Sequence, residues 1–206
     1  MKSIFYNREN MSFGNIIITR QIDDALIQNQ LWEIYRQSFA GSETKCAQDQ
    51  KCYTEEIFKA ALSDPEYFKY YLIADDGKVM AYMLSTNNLQ KASITYFNPE
   101  RYASLFPQFS PDKIYYCTSL ATIPGQRSQR FFYQLMSVYL RHILVDLKSM
   151  HAFDFSHETI PNLPDVLVKM GKRLVKEGIL DYEFEYVKVG AQEFGALAPI
   201  KNPDPT

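Results

Sequence analysis

The feature that most constrains the fold is a break between two strongly patterned segments. Ile114-Tyr115-Tyr116-Cys117-Thr118-Ser119-Leu120-Ala121-Thr122-Ile123 is an apolar, β-prone run, and Pro124-Gly125 interrupts it. Beyond the break, Phe132, Leu135, Met136, Tyr139, Ile143, Leu144 and Leu147 recur at helical spacing and predict a long helix over 126–148. A buried strand that turns directly into a long amphipathic helix belongs to an α/β architecture.

The rest of the chain supplies the neighbours such a unit needs. Asn15 to Arg20 is a short β-branched strand, and Asp23 or Asp24 can cap the helix that follows. That helix buries Leu26, Leu31, Ile34, Tyr35 and Phe39, and Gly41 ends it. Ser42 to Lys51 is polar and reads as a loop. Thr54-Glu55-Glu56 opens a second helix with Ile57, Phe58, Ala61 and Leu62 inside, and Asp64-Pro65 stops it.

Tyr67–Ala74 and Lys78–Ser85 form the clearest hairpin, turning at Asp75-Asp76-Gly77. Between Thr86 and Pro111 a short strand at 93–97 and a short helix at 99–105 are expected. Met150–Glu158 reads as a strand, 165–177 as a helix stopped by Gly178, and Asp181–Val189 as a last strand. The order predicts one domain over 1–206, a mixed central sheet with helices on both faces. Residues 1–13 and 199–206 read as loose ends.

Composition removes several classes. The 206 residues are 46% hydrophobic, in the ordinary globular range, with 15 Tyr and 14 Phe. A net charge of -2 lacks the basic field that phosphate-neutralising nucleic-acid binders use. No apolar run reaches the roughly 18 residues of a membrane span, and no signal peptide opens the chain. Cys46, Cys52 and Cys117 form neither a disulfide framework nor a zinc pattern, so a reducing, cytoplasmic compartment is expected. No metal site, P-loop, GxGxxG or GxSxG is present in the sequence.

Chemistry is expected at the break itself. The first turn of a helix carries unpaired N–H groups and the positive end of the dipole, a natural seat for phosphate or carboxylate. Arg127 and Arg130 lie three residues apart near that end, beside the small donor Ser128. Without an anion the two charges oppose the dipole; a bound anion offsets that cost. The alternative is a solvated helix start whose arginines pair with nearby acids.

The element order, with Ile123-Pro124 before Arg127 at a helix start, resembles the GNAT superfamily of acyl-CoA-dependent N-acetyltransferases. The resemblance spans residues 15–189 in element order, but its motif is about a dozen residues. It implies an acyltransferase moving an acyl group, acetyl first, from acetyl-CoA or another acyl-CoA as cosubstrate to a small-molecule or peptide amine. It implies no nucleic acid or membrane partner and leaves room for a homodimer.

In that family, backbone amides at the helix start hold the coenzyme A pyrophosphate, and the preceding strand lines the pantetheine arm. Carried over here, these positions are Leu120, Thr122, Arg127, Ser128, Gln129, Arg130, Phe131 and Phe132. Glycines are usual where this chain has Ser128, Arg130 and Phe132. Three arrangements stay open: Arg130 swings out to the phosphates, the site takes a different carrier, or the fold persists without coenzyme A binding and serves as a ligand- or protein-binding domain.

The family's acid is often a tyrosine on the helix after the fifth strand, where 165–177 has none. The expected catalytic groups are therefore Glu158 as base, with His157 beside it, and Tyr182 or Tyr186 as acid. Strand alternation puts His151, Phe153, Phe155 and His157 on one face and Asp154, Ser156 and Glu158 on the other, which argues against a His–Asp pair. Cys117, in an apolar strand without a basic neighbour, reads as a small hydrophobe. Lys169, Lys172, Arg173 and Lys176 read as a solvated helical face, with the adenosine 3′-phosphate as the alternative.

Overall fold

The computed structural model describes residues 15–39, 52–91, 104–125, 128–154, 162–180, 184–188 and 194–199. Seven strands form one mixed sheet: β1 (Asn15–Thr19), β2 (Tyr67–Ile73), β3 (Val79–Thr86), β4 (Ile114–Thr122), β5 (Met150–Asp154), β6 (Phe184–Lys188) and β7 (Phe194–Pro199). Their spatial order is β1-β2-β3-β4-β5-β7-β6, antiparallel except where β4 and β5 run parallel.

Among the described residues four α-helices cover the sheet: α1 (Ala25–Phe39), α2 (Glu55–Ser63), α3 (Ser128–Leu140) and α4 (Leu163–Lys176). Their starts are set chemically. The carboxylate of Asp24 accepts from the amides of Leu26 at 2.8 Å and Ile27 at 3.3 Å, and Thr54 Oγ1 accepts from Ile57 N at 3.3 Å. Pro164 sits in the first turn of α4, where no N–H is required.

The two faces bury separate cores. On one, α1 and α2 close over Tyr67, Tyr71, Val79, Tyr82, Leu84 and Ala121. On the other, Phe131, Leu135, Met136 and Tyr139 of α3 and Leu167, Met170 and Leu174 of α4 pack against Tyr70, Met83, Tyr115 and Phe153. A third, smaller cluster joins Phe106 and Phe109 to Ile114, Tyr116, Met150 and Ala152.

The predicted hairpin turns at Gly77, whose φ of +81° suits glycine, and Gly178 ends the α4 segment at φ +68°. The long helix is shorter than expected: α3 ends at Leu140 and continues as a π-helical stretch over Arg141–Asp146. Leu147 N then bonds His142 O, and Lys148, at φ +47°, turns the chain into β5. The extra residue per turn lets His142, Ile143 and Leu144 stay on the sheet while the helix ends. A seventh strand, β7, was not expected from the sequence; Pro199 closes it opposite Phe184. The strand at 93–97 and most of the helix at 99–105 lie outside the described residues.

Candidate functional site

The sheet divides at its centre. Parallel pairing of β4 with β5 covers Ile114↔Met150, Tyr115↔His151 and Tyr116↔Ala152, and ends there. β4 continues for six more residues, Cys117–Thr122, paired to β3 on its other edge. Among the described residues, backbone groups of that stretch that point toward β5 have no ladder partner, an opening in the sheet's hydrogen bonding. The chain itself runs on from the strand to Pro124-Gly125 and the start of α3.

A bulge lies at the head of the free stretch. Leu84 pairs with Ser119 and Ser85 with Cys117, so Thr118 has no partner of its own. Thr118 Oγ1 donates to Leu84 O at 3.4 Å. The extra residue reverses the alternation of the strand. Tyr115 and Cys117 face α3, yet after the bulge it is Leu120 that faces α3, while Ser119 and Ala121 turn to α1 and α2. Ser119 Oγ is 2.7 Å from the Tyr82 hydroxyl, both buried.

The junction is tight. Ile123 N donates to Met80 O at 2.9 Å, and Ser128 N donates to Gly125 O at 3.1 Å. Gly125 has φ +133°, a conformation that resists a side chain although nothing lies within 4 Å of a Cβ placed there. Helix geometry leaves the following amides of α3 without partners inside the helix.

Side chains at the junction divide by exposure. Phe131 is only 3% exposed and packs in the core, with Phe132 half-buried against it. Gln129 is exposed; Ser128 and Arg130 are half-buried. The two phenylalanines thus pack on the core side, and Ser128, Gln129 and Arg130 make up the rest of the first turn. Leu120 and Thr122 are half-buried on the free stretch of β4. Arg127, His157, Glu158 and Tyr182 lie outside the described residues; Tyr186 is half-buried on β6, with its ring 6.1 Å from Phe153.

Two expected inert groups have definite environments. Cys117 is half-buried at the head of the opening, and its surroundings push the thiol up to about 12, so it carries no thiolate near neutral pH. His151 is 2% exposed, stacked on Phe153 at 5.0 Å, and burial pushes its imidazole down to about 3. The shared face of His151 and Phe153 follows the alternation read from the sequence; the depth of His151 does not.

The basic face of α4 is exposed at Lys169, Lys172, Arg173 and Lys176. Arg173 bonds Glu177 at 2.7 Å and lies 4.6 Å from the centre of the Tyr133 ring, which ties α4 to α3. On the opposite face Trp32, Tyr35, Phe39, Tyr53 and Phe58 stack above Tyr82 with ring separations of 4.8–6.0 Å. Among the described residues no helix is long and apolar enough to cross a membrane, and no His, Cys, Asp and Glu cluster could hold a metal ion.

This mixed sheet with a helix following β4 is a fold shared with solved acetyltransferases. The similar solved structures include GCN5 of Tetrahymena, at 11% identity and TM-score 0.52, covering 91% of this chain and 99% of that one. An Acinetobacter baylyi protein to which acetyltransferase activity is ascribed matches at 12% identity and TM-score 0.53, covering 94% and 96%. The spermidine N-acetyltransferase SpeG of Vibrio cholerae matches at 9% and 0.50, covering 88% and 91%. No family model matches the sequence, and no curated protein does. At these identities the likeness is one of fold.

Proposed function

We propose that this chain transfers an acyl group, acetyl first, from coenzyme A to an amine on a small molecule or peptide. The observation that carries this reading is the end of the β4–β5 ladder at Tyr116 and Ala152. It leaves Cys117–Thr122 with a free backbone edge leading to the amides of α3. An extended amide-containing arm pairs with such an edge, and a pyrophosphate suits such a helix start. The acetyltransferase identity of the structural relatives supports the same reading.

In this reaction the amine lone pair attacks the thioester carbonyl, the C–N bond forms, and the C–S bond breaks. The amine loses a proton and the departing thiolate gains one. In this reading main-chain N–H groups near the Thr118 bulge would polarise the carbonyl. Cys117 is assigned no part, since burial raises its thiol, and the proposed transfer is direct. Glu158, with His157, is the proposed base and Tyr182 the proposed acid. Ser128, Gln129, Arg130 and the amides through Phe132, with Arg127, would hold the phosphates, and Leu120 and Thr122 would line the arm.

A second reading is a catalytically inactive domain of this fold that binds a ligand or a protein. Arg130 and Phe132 in place of glycine, and the lack of a tyrosine in α4, favour it. Calorimetric titration with acetyl-CoA, followed by thiol release across a panel of amines, separates the two. Binding with turnover supports the transferase, and binding without turnover supports the inactive domain. No heat of binding at millimolar acetyl-CoA overturns the acetyl-CoA reading.

A further inference from the structure

Tyr139 of α3 reaches both sides of the line along which the sheet divides. Its hydroxyl lies 3.2 Å from Ser85 Oγ on β3 and 2.8 Å from Nδ1 of His151 on β5. Tyr139 and Ser85 are 0% exposed and His151 2%. His151 stands opposite Tyr115 of β4, one pair before the ladder ends, and is hydrogen-bonded to the Tyr115 main chain. A neutral imidazole has one donor and one acceptor nitrogen. A consistent arrangement therefore has Ser85 donate to Tyr139, Tyr139 donate to Nδ1, and the remaining ring N–H serve Tyr115.

Core filling does not explain this set. Phenylalanine at 139 and an apolar residue at 151 would fill the same space without desolvating three polar groups. What the polar set adds is direction: a satisfied buried network has one low-energy geometry, whereas apolar contacts slide. Here it fixes the distance between β3–β4 and β5 just below the point where β4 and β5 part.

We infer that Tyr139 and His151 are positioning residues that set the width of the opening between β4 and β5, and through it the affinity for an acyl-CoA arm. The ligand half of this inference rests on the opening being the acyl-CoA channel. The structural half does not.

The test uses the full chain with three substitutions, each read by acetyl-CoA titration and by amide hydrogen exchange. In Tyr139→Phe, the dissociation constant is expected to rise roughly three- to tenfold, the range in which a residue off the ligand modulates binding. Exchange at Ile114–Tyr116 and Met150–Ala152 quickens in the same variant without ligand. His151→Asn keeps an acceptor near the Nδ1 position and restores both readouts toward the parent, whereas His151→Leu does not. Unchanged affinity and exchange in folded Tyr139→Phe overturns the inference. If the parent binds no acetyl-CoA, the channel reading and the ligand half fall together, and the exchange comparison alone decides the structural half.

Discussion

The Tyr35 hydroxyl accepts a hydrogen bond from the main-chain N–H of Tyr53 at 2.7 Å, joining the last turns of α1 to the residues that enter α2. This bond lies within the aromatic stack that covers Tyr82. Removing the hydroxyl in Tyr35→Phe keeps the ring stack and strands one half-buried N–H. A loss of about 1 kcal/mol in unfolding free energy is expected. Urea denaturation checks it; an unchanged midpoint would show that water replaces the phenol at no cost.

Among the described residues, the buried cation of Lys69 on β2 meets main-chain carbonyls and no carboxylate. It is 1% exposed, and its ammonium donates to the carbonyls of Arg20 at 2.6 Å, Tyr67 at 3.1 Å and Asp64. Burial pushes it down to about 8. Lys69→Met keeps the stem's packing and takes a donor from three carbonyls, of which Asp64 O still accepts from Tyr67 N at 3.2 Å. A loss of about 2–4 kcal/mol is expected, since each buried acceptor left unpaired costs about 1–3 kcal/mol before water relieves it. Thermal unfolding at pH 7 measures it, and a loss no larger than that of an exposed lysine would show that water reaches these carbonyls.

Acid should weaken the protein in part through His151. Its folded value of about 3 lies below the ordinary 6.5, so between those limits the unfolded chain binds the proton that the folded chain refuses. Stability is fully present above pH 6.5 and drains away as pH falls toward 3, by up to about 1.4 kcal/mol per pH unit. His142, also lowered by burial, acts with the same sign, as does the Asp64 carboxyl, held low chiefly by Lys91. Comparison with His151→Asn isolates the single contribution. Chemical denaturation at steps from pH 7 to pH 4 should give a shallower slope in the variant; parallel slopes would show that His151 titrates normally.

Cys117 should resist alkylation although it stands at the mouth of the proposed channel. With the thiol pushed up to about 12, the thiolate fraction at pH 8 is negligible. Iodoacetamide treatment of native protein, read by peptide mass spectrometry, should mark the exposed Cys52 and spare Cys117. Rapid labelling of Cys117 would reopen a covalent acyl-enzyme route.

Much of this molecule was legible one segment at a time, because helix periodicity, caps and turn residues act over a few neighbours. Asp24 and Thr54 cap the helices they were expected to cap, and Gly77 makes the hairpin turn. The break at Pro124-Gly125 separates β4 from α3 as read. The resemblance drawn from that order is matched by the fold of the solved relatives. Local propensity was less able to place β7, a strand of small residues, Phe-Gly-Ala-Leu-Ala-Pro, held by neighbours on both sides.

The sequence by itself determined most of the strands and helices and the break from which α3 starts. Only the tertiary structure decided that Thr118 bulges and reverses β4, that β4 and β5 part after Tyr116, and that Tyr139 meets His151 beneath that point. Register and long-range hydrogen bonds depend on partners tens of residues away, and no pattern within one segment encodes where its partner begins or ends.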